Sequence, residues 1–431
     1  MSTVAEKSRV KHLQAAADCA ARAGSGPAPS VVQRYFRHVA TEDLLPRDPA
    51  DLYGAVVSHV ELGHNRPVGT AAVSVFNPTV EAEGWRSEHT VVQIVTDDMP
   101  FLVDSVNAAV AASGRAEHLL VHPVLIARRT VTGQLVDLPD SDEADAKDHE
   151  LVVESWIYLE VDRIGTAAER EALANQLAKV LEDVRSAVED WPKMRARALA
   201  AAEAMRRTPP VGIPAREASA TADFLEWMAD NHFTFLGHRE YVLVTKDGAV
   251  ALQPVQGTGL GLLRYDQPES EAFSRMTAQA QNKAREKTLL ILTKANSKAT
   301  VHRPVYLDYV GVKTFDETGE VTGEHRFLGL YALSAFNAYY AVKYFAAGDS
   351  PGATFDAATG VNHEHTEVRN EQGEAKAVDL WTGCYTPREL RVLCRVAGLT
   401  VDSISSVEPG GYGWAEPTTE TAEFLVIAHR S

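Results

Sequence analysis

Cysteine is nearly absent from this chain: Cys19, Cys384 and Cys394 are all that 431 residues hold, and no two form a C-x-x-C pair. Neither a disulfide framework nor a thiolate zinc site can be built from them, and a reducing compartment is expected. Long apolar runs are missing too. No stretch approaches 18 apolar residues, and the N-terminus lacks a basic, apolar, small-residue signal pattern, so no membrane partner is expected and the location reads as cytoplasmic. Positive charge is also in short supply. The 42 Lys and Arg against 59 Asp and Glu leave a net charge of −17, which repels phosphate backbones, so nucleic acid is not expected as a partner.

What is present is ordinary for folded domains. Apolar residues at 45%, charged residues at 23%, 28 Gly and 20 Pro exclude disorder, collagen and coiled-coil arrays. At roughly 100–200 residues per domain the length allows two to four domains. Four regions are expected: a helical region at 1–88, a domain at 89–208, a mixed α+β domain at 216–331 and a last segment at 332–431.

In the first region Ser30 is placed to cap a helix whose apolar Val32, Tyr35, Phe36 and Val39 recur at the period of one buried face. Asp48-Pro49 opens another helix, with aspartate as cap and proline in the first turn. Both read as docking helices. His59 and His64 lie on or just after the second and find no partner at ligand spacing, so they read as surface histidines.

From Thr90 the order becomes strand, helix, strand, strand, helix. Val91, Val92, Ile94 and Val95 mark a buried strand. The next helix carries Val103, Val106 and Val110 on one face, and Gly114 stands where a left-handed C-terminal cap sits. Two extended stretches follow, at 119–129 and 153–161, and Pro123 places the first near an edge. The acidic run between them, from Asp137 to Glu150, reads as a solvated loop rather than a cation site. Thr166 and Glu169 form a capping-box pair, and the helix behind them buries Leu173, Leu177, Val180, Val184 and Val188. This order matches most of a βαββαβ ferredoxin-like unit whose fourth strand has no evident place.

After a linker at Pro209, Pro210 and Pro214 come a helix from Thr221 to Asp230, a hairpin about Asp247-Gly248, and strands near 289–292, 304–314 and 325–330. The last hundred residues hold an aromatic, alanine-rich stretch at 333–345, a loop at 348–360, a helix start at Thr386-Pro387-Arg388-Glu389, and closing strands at 401–407 and 424–429.

Three constellations invite chemistry. Gly257-Thr258-Gly259-Leu260-Gly261 has the glycines of a phosphate loop but lacks the final glycine of G-x-G-x-x-G and a helix behind it, so an irregular turn is the preferred reading. His363-Glu364-His365 would converge on a metal only from a strand and has no evident third ligand, so no metal site is expected. The most informative is Asp97-Asp98-Met99-Pro100-Phe101-Leu102, a candidate ligand loop at a strand-to-helix junction. Backbone N–H groups there can hold a small ligand's carboxylate while Asp97 meets its ammonium group. Alternatively Asp98 caps the helix, which requires no ligand. No catalytic residue is evident.

From about Arg34 to Leu330 the chain resembles the N-terminal part of the large bacterial NAD-specific glutamate dehydrogenases. The carriers are Tyr35-Phe36-Arg37-His38-Val39, the run from Val92 to Val106, His122-Pro123-Val124, the run from Asp230 to Gly237, Gly257 to Arg264, and Gly323 to Leu330. That family's N-terminal region contains ACT-like modules, named for amino-acid-binding regulatory domains. Their D-x-P-G-L ligand loop corresponds here to Asp98-Met99-Pro100-Phe101-Leu102, with Phe101 in the glycine's place.

From about Ala332 the chain instead resembles the C-terminal part of a class I S-adenosylmethionine-dependent methyltransferase. That resemblance rests on Phe355 to Gly360, Tyr385 to Leu390 and Ala397-Gly398-Leu399. The implied fold class is α+β: an ACT-like domain, a second mixed α+β domain and a partial α/β methyltransferase-like tail. The implied function is a truncated regulatory and assembly region, fused near Tyr331, of an enzyme that oxidises L-glutamate to 2-oxoglutarate with NAD. The alternative is an S-adenosylmethionine-dependent methyltransferase. Under the first reading this chain binds no cofactor itself, and its partners are an amino-acid effector and further copies of itself.

Overall fold

The computed structural model describes residues 4–23, 26–140, 150–246, 249–265 and 285–331, and beyond them 353–356, 361–369, 375–383, 390–391, 394–395, 399–406 and 424–430. These divide into two compact units, Met1–Val188 with Thr300–Pro304, and Glu189–Ala299 with Val305–Ser431.

The first unit opens with helices α1 (Val4–Ala23), α2 (Pro29–Tyr35), α3 (Thr41–Leu44) and α4 (Pro49–Leu62). Val32, Tyr35, Phe36 and Val39 are buried, as their spacing predicts. Ala28, not Ser30, is the N-cap of α2; Ser30 lies inside the first turn behind Pro29. The Asp48 cap of α4 is present, its carboxylate accepting from the Ala50 N–H at 2.8 Å.

Strand β1 (Ala72–Phe76) and the single turn α5 (Val80–Glu83) lead into β2 (Thr90–Asp97), α6 (Leu102–Ala112), β3 (Glu117–Val121), β4 (Val124–Arg129), β5 (Leu135–Asp137), β6 (Leu151–Val161) and α7 (Ala167–Arg207). The sheet order is β1-β2-β6-β4-β5, with β3 also on β6. This is the expected split unit with β1 in the fourth strand's place. That strand precedes the unit in sequence, so no pattern downstream of the helix could locate it. β2 and β6 are interior strands covered on both faces: Val91, Val92, Ile94, Val95, Trp156, Ile157 and Leu159 are fully buried, each contributing roughly 1.5–3 kcal/mol. The stretch expected at 119–129 is broken at His122-Pro123, because proline lacks the ladder N–H; the Pro123 carbonyl still accepts from Trp156 N at 3.0 Å. The docking helices and the sheet share one core, from Leu13, Val32 and Val56 to Val95 and Trp156.

Gly114 follows α6 at φ 75°, the cap its position predicts. The capping pair at the start of α7 is formed, Glu169 N–H donating to Thr166 Oγ1 at 3.2 Å. The helix continues through Pro192 for 41 residues rather than stopping after its first apolar face. Within that face Leu173, Leu177, Val180 and Val184 are buried and Val188 is half-buried.

In the second unit α8 (Ala215–Trp227) starts six residues before the expected Thr221, and a tight turn leads into β7 (Phe233–Lys246). Then come β8 (Ala249–Pro254), β9 (Leu260–Gly261), β10 (Leu290–Lys298), β11 (Tyr306–Phe315) and β12 (Val321–Tyr331), in the order β10-β11-β12-β7-β8 with β9 on β7. Met194, Ala198, Phe224, Phe235, Val310 and Phe327 form its core.

Beyond Tyr331, β13 (Ala353–Asp356), β14 (Val361–Arg369) and β15 (Ala375–Gly383) form a three-stranded sheet, and β16 (Leu399–Ser406) pairs with β17 (Phe424–Arg430). The closing strand pair is as expected, whereas β13 falls in a stretch expected to be loop. All these tail pairings are antiparallel. The alanine-rich stretch at 333–345, the Thr386 helix start, the Asp247-Gly248 turn and most of the acidic run lie outside the described residues. Among the described residues, no helix is long and apolar enough to cross a membrane.

Candidate functional site

The candidate loop lies where expected, between the end of β2 and the start of α6. Its residues do different things from those their order suggests. Asp97 closes β2 and is engaged by guanidiniums: Oδ1 accepts from Arg66 at 2.8 Å, and Oδ2 lies 2.8 Å from Arg185 and accepts from the Gly69 N–H at 2.9 Å. These cations already hold the carboxylate that the sequence offers to a ligand's ammonium group.

Arg66 also pairs with Glu154 on β6, which takes Arg129 in a two-point grip at 2.5 and 2.9 Å and accepts from Trp156 Nε1 at 3.1 Å. Glu154 is fully buried, as is the Arg66 side chain. The remaining donors of Arg129 reach the Gly63 and Gly133 carbonyls at 2.8 and 2.9 Å. Three guanidiniums, of Arg66, Arg129 and Arg185, thus engage the two carboxylates of Asp97 and Glu154.

Asp98 does not cap α6. The N-cap is Phe101, whose side chain makes no capping hydrogen bond. The exposed Asp98 instead accepts from Ser155 Oγ on β6 at 2.5 Å, and His122 Nε2 donates to the same hydroxyl at 3.0 Å. The order is carboxylate, hydroxyl, imidazole. A nucleophile triad needs the imidazole in the middle, so this relay positions Asp98 and does not activate Ser155. Burial lowers the His122 pKa, with Asp98 acting in the opposite direction.

Phe101 adopts φ 72°, ψ 0°, the left-handed conformation that favours glycine. For a residue with a Cβ this costs about 1 kcal/mol. A bulky ring thus stands at a position whose backbone conformation favours glycine. Its carbonyl accepts from Ser105 N and Oγ at 3.0 and 2.6 Å. The ring packs 5.1 Å from that of His302, itself at φ 70°, whose backbone N–H donates to Ser105 Oγ at 2.9 Å. Met99 is half-buried, Pro100 exposed and Leu102 buried.

Outside the loop, His59 is fully buried, not a surface residue. Its ring bridges Tyr35 Oη at 2.6 Å and the Ile94 carbonyl at 3.1 Å, so Nε2 carries the proton. Burial pushes its pKa down to about 3 against that carbonyl bond. The surface expectation fails because α4 turns this position onto the sheet, which helical spacing from a polar residue alone does not reveal.

The Gly257–Gly261 stretch turns at Gly257, as expected, and then runs into β9 at Leu260–Gly261. A Cβ at Gly259 would lie 2.0 Å from the Leu263 carbonyl, so glycine serves close approach of the chain to itself. Gly261 N–H donates to Asp190 at 3.0 Å; hydrogen bonds from Arg264, Gly261 and Lys193 outweigh burial and hold that carboxyl at about 2. His363-Glu364-His365 lies on β14.

Sequence reasoning misses Arg66, Arg129, Glu154, Ser155 and Arg185, which come together only through strand register and helix packing. It also misses His238, Glu240 and His325, although it foresees their strands. An imidazole and a carboxylate two residues apart on β7 are the available signal.

Residues 31–177 match the family described as glutamate dehydrogenase, ACT1 domain. The chain is 35% identical over 305 residues to an NAD-specific glutamate dehydrogenase of Halomonas elongata, covering 70% of this chain and 19% of that protein. It is 33% identical over 341 residues to one of Pseudomonas aeruginosa, covering 78% and 21%, and 25% identical over 284 residues to one of Mycobacterium tuberculosis, covering 65% and 16%. The chain thus spans about one fifth of the length of the curated relatives it matches.

Proposed function

We propose that the first unit is an amino-acid-responsive regulatory and assembly module of the kind that accompanies NAD-specific glutamate dehydrogenase activity, and that these residues serve regulation rather than hydride transfer. The observation that carries this reading is the loop itself. Phe101 holds a left-handed φ of the kind glycine favours, at the position that corresponds to the glycine of D-x-P-G-L, and a match to an ACT1 domain spans it, which supports the reading. Asp98, exposed and held by Ser155, faces the ligand's ammonium group, the role the sequence suggests for Asp97. The start of α6, with its free backbone N–H groups, favours the ligand's carboxylate.

A thermal-shift and calorimetry screen against the twenty amino acids, NAD and S-adenosylmethionine tests it. A ligand at a hundred times its Kd adds about 2.7 kcal/mol of apparent stability. An amino-acid response that Asp98→Ala abolishes is expected. Silence toward every amino acid, glutamate-dependent NAD reduction carried by these residues, or a response to S-adenosylmethionine, as an active methyltransferase would give, overturns it.

A further inference from the structure

We propose that His238, Glu240 and His325 form a binding site for one divalent transition-metal ion of the zinc class. His238 and Glu240 lie two residues apart on β7, so the alternation of a strand turns both to one face of the sheet. The antiparallel register sets His325 of β12 directly opposite Glu240. The ligand atoms of all three lie within 4.8 Å of one another. A bound ion with metal–ligand distances near 2.1 Å needs them roughly 3.3 Å apart, a contraction of about 1.5 Å that side-chain rotation can supply.

The second observation is independent of that spacing. His238 is fully buried, and neither of its ring nitrogens has a hydrogen-bond partner among the described residues; the same holds for His325 Nδ1. A buried polar group left unpaired costs about 1–3 kcal/mol, so such atoms ordinarily have a partner. Here two imidazoles stacked 5.8 Å apart stand within reach of one carboxylate, with His325 Nδ1 4.0 Å from Glu240 Oε1.

Burial lowers the pKa of both rings, that of His238 to about 3 with help from His325 and Arg197. The Thr258 backbone, near the His238 ring but outside hydrogen-bond geometry, acts the other way, as Glu240 does on His325. Glu240 and His325 are only partly buried, which leaves a path from solvent. Arg197, half-exposed and 3.5 Å from Glu240, pairs with that carboxylate and competes with a cation for it.

Two imidazoles with one carboxylate suit zinc or a similar ion and leave further coordination positions open. The set is too nitrogen-rich for calcium or magnesium.

The test is calorimetric titration of the chelator-treated chain with Zn(II), with Co(II) as visible-absorption reporter. One equivalent is expected to bind with ligand-field bands of a nitrogen and oxygen site. Glu240→Gln and His325→Asn, both at partly exposed positions, should each weaken binding by at least about 10- to 100-fold, with circular dichroism of the metal-free variants unchanged. Arg197→Ala should tighten binding several-fold, as removal of a competing cation requires. His238→Ala is buried enough to disturb folding, so the other three variants decide. Absence of saturable uptake, or uptake of undiminished affinity in both Glu240→Gln and His325→Asn, overturns the proposal.

Discussion

Glu154 on β6 and His238 on β7 are both fully buried polar side chains on interior strands, yet their surroundings differ in kind. Glu154 has Arg66, Arg129 and Trp156 on its two oxygens, and Arg129 spends its remaining donors on backbone carbonyls. His238 has no hydrogen-bond partner among the described residues, although a second imidazole and a carboxylate stand within reach. A closed set of charges serves the fold, since each member answers another's desolvation. An open donor set is built for something from outside. His59 is the control: it is as buried as His238 and its pKa falls as far, but its two nitrogens are taken by Tyr35 and Ile94.

The largest effect should come from breaking the closed set. Glu154→Gln leaves two buried guanidiniums without their shared carboxylate, and a loss of about 3–5 kcal/mol is expected from urea unfolding at unchanged m-value. A loss below about 1 kcal/mol would show that the cluster is not a structural unit.

Second comes acid. An unfolded His59 takes up a proton below about pH 6.5, whereas the folded residue resists until about pH 3. Its contribution is thus present above 6.5 and lost as pH falls toward 3, with a slope approaching about 1.4 kcal/mol per pH unit. His59→Gln should flatten the stability curve by one proton over that window; an unchanged slope would mean the imidazole is reached by solvent.

The smallest effect concerns the loop. Because φ at Phe101 is positive, Phe101→Gly should be more stable than Phe101→Ala by about 1 kcal/mol, the reverse of their usual order in a helix. The glycine variant should also strengthen the amino-acid response by opening the backbone. The usual order would refute the left-handed turn.

Much of this is legible in the residues. The Val91–Val95 run, the Asp48 and Thr166 caps, the Gly114 turn and the hairpin strands follow from local periodicity and capping, which depend on neighbours a few positions apart. Expectations for single polar residues fare worse. Ser30 and Asp98 have good capping chemistry but sit one or more positions from the cap, and His59 looks solvent-facing until α4 docks on the sheet.

The amino-acid sequence by itself determined most of the helices and strands of the first 331 residues, their α+β character, and the place of the loop, because backbone sterics and side-chain period act over a few residues. Tertiary structure alone decided that Ala72–Phe76 completes the first sheet, that Arg66 and Arg129 meet Glu154, and that His325 faces Glu240. The charges paired on Glu154 come from 25 and 88 residues away, and strand register and helix docking brought them together. Whether a buried polar group is satisfied depends on such distant atoms, so no local pattern can announce it.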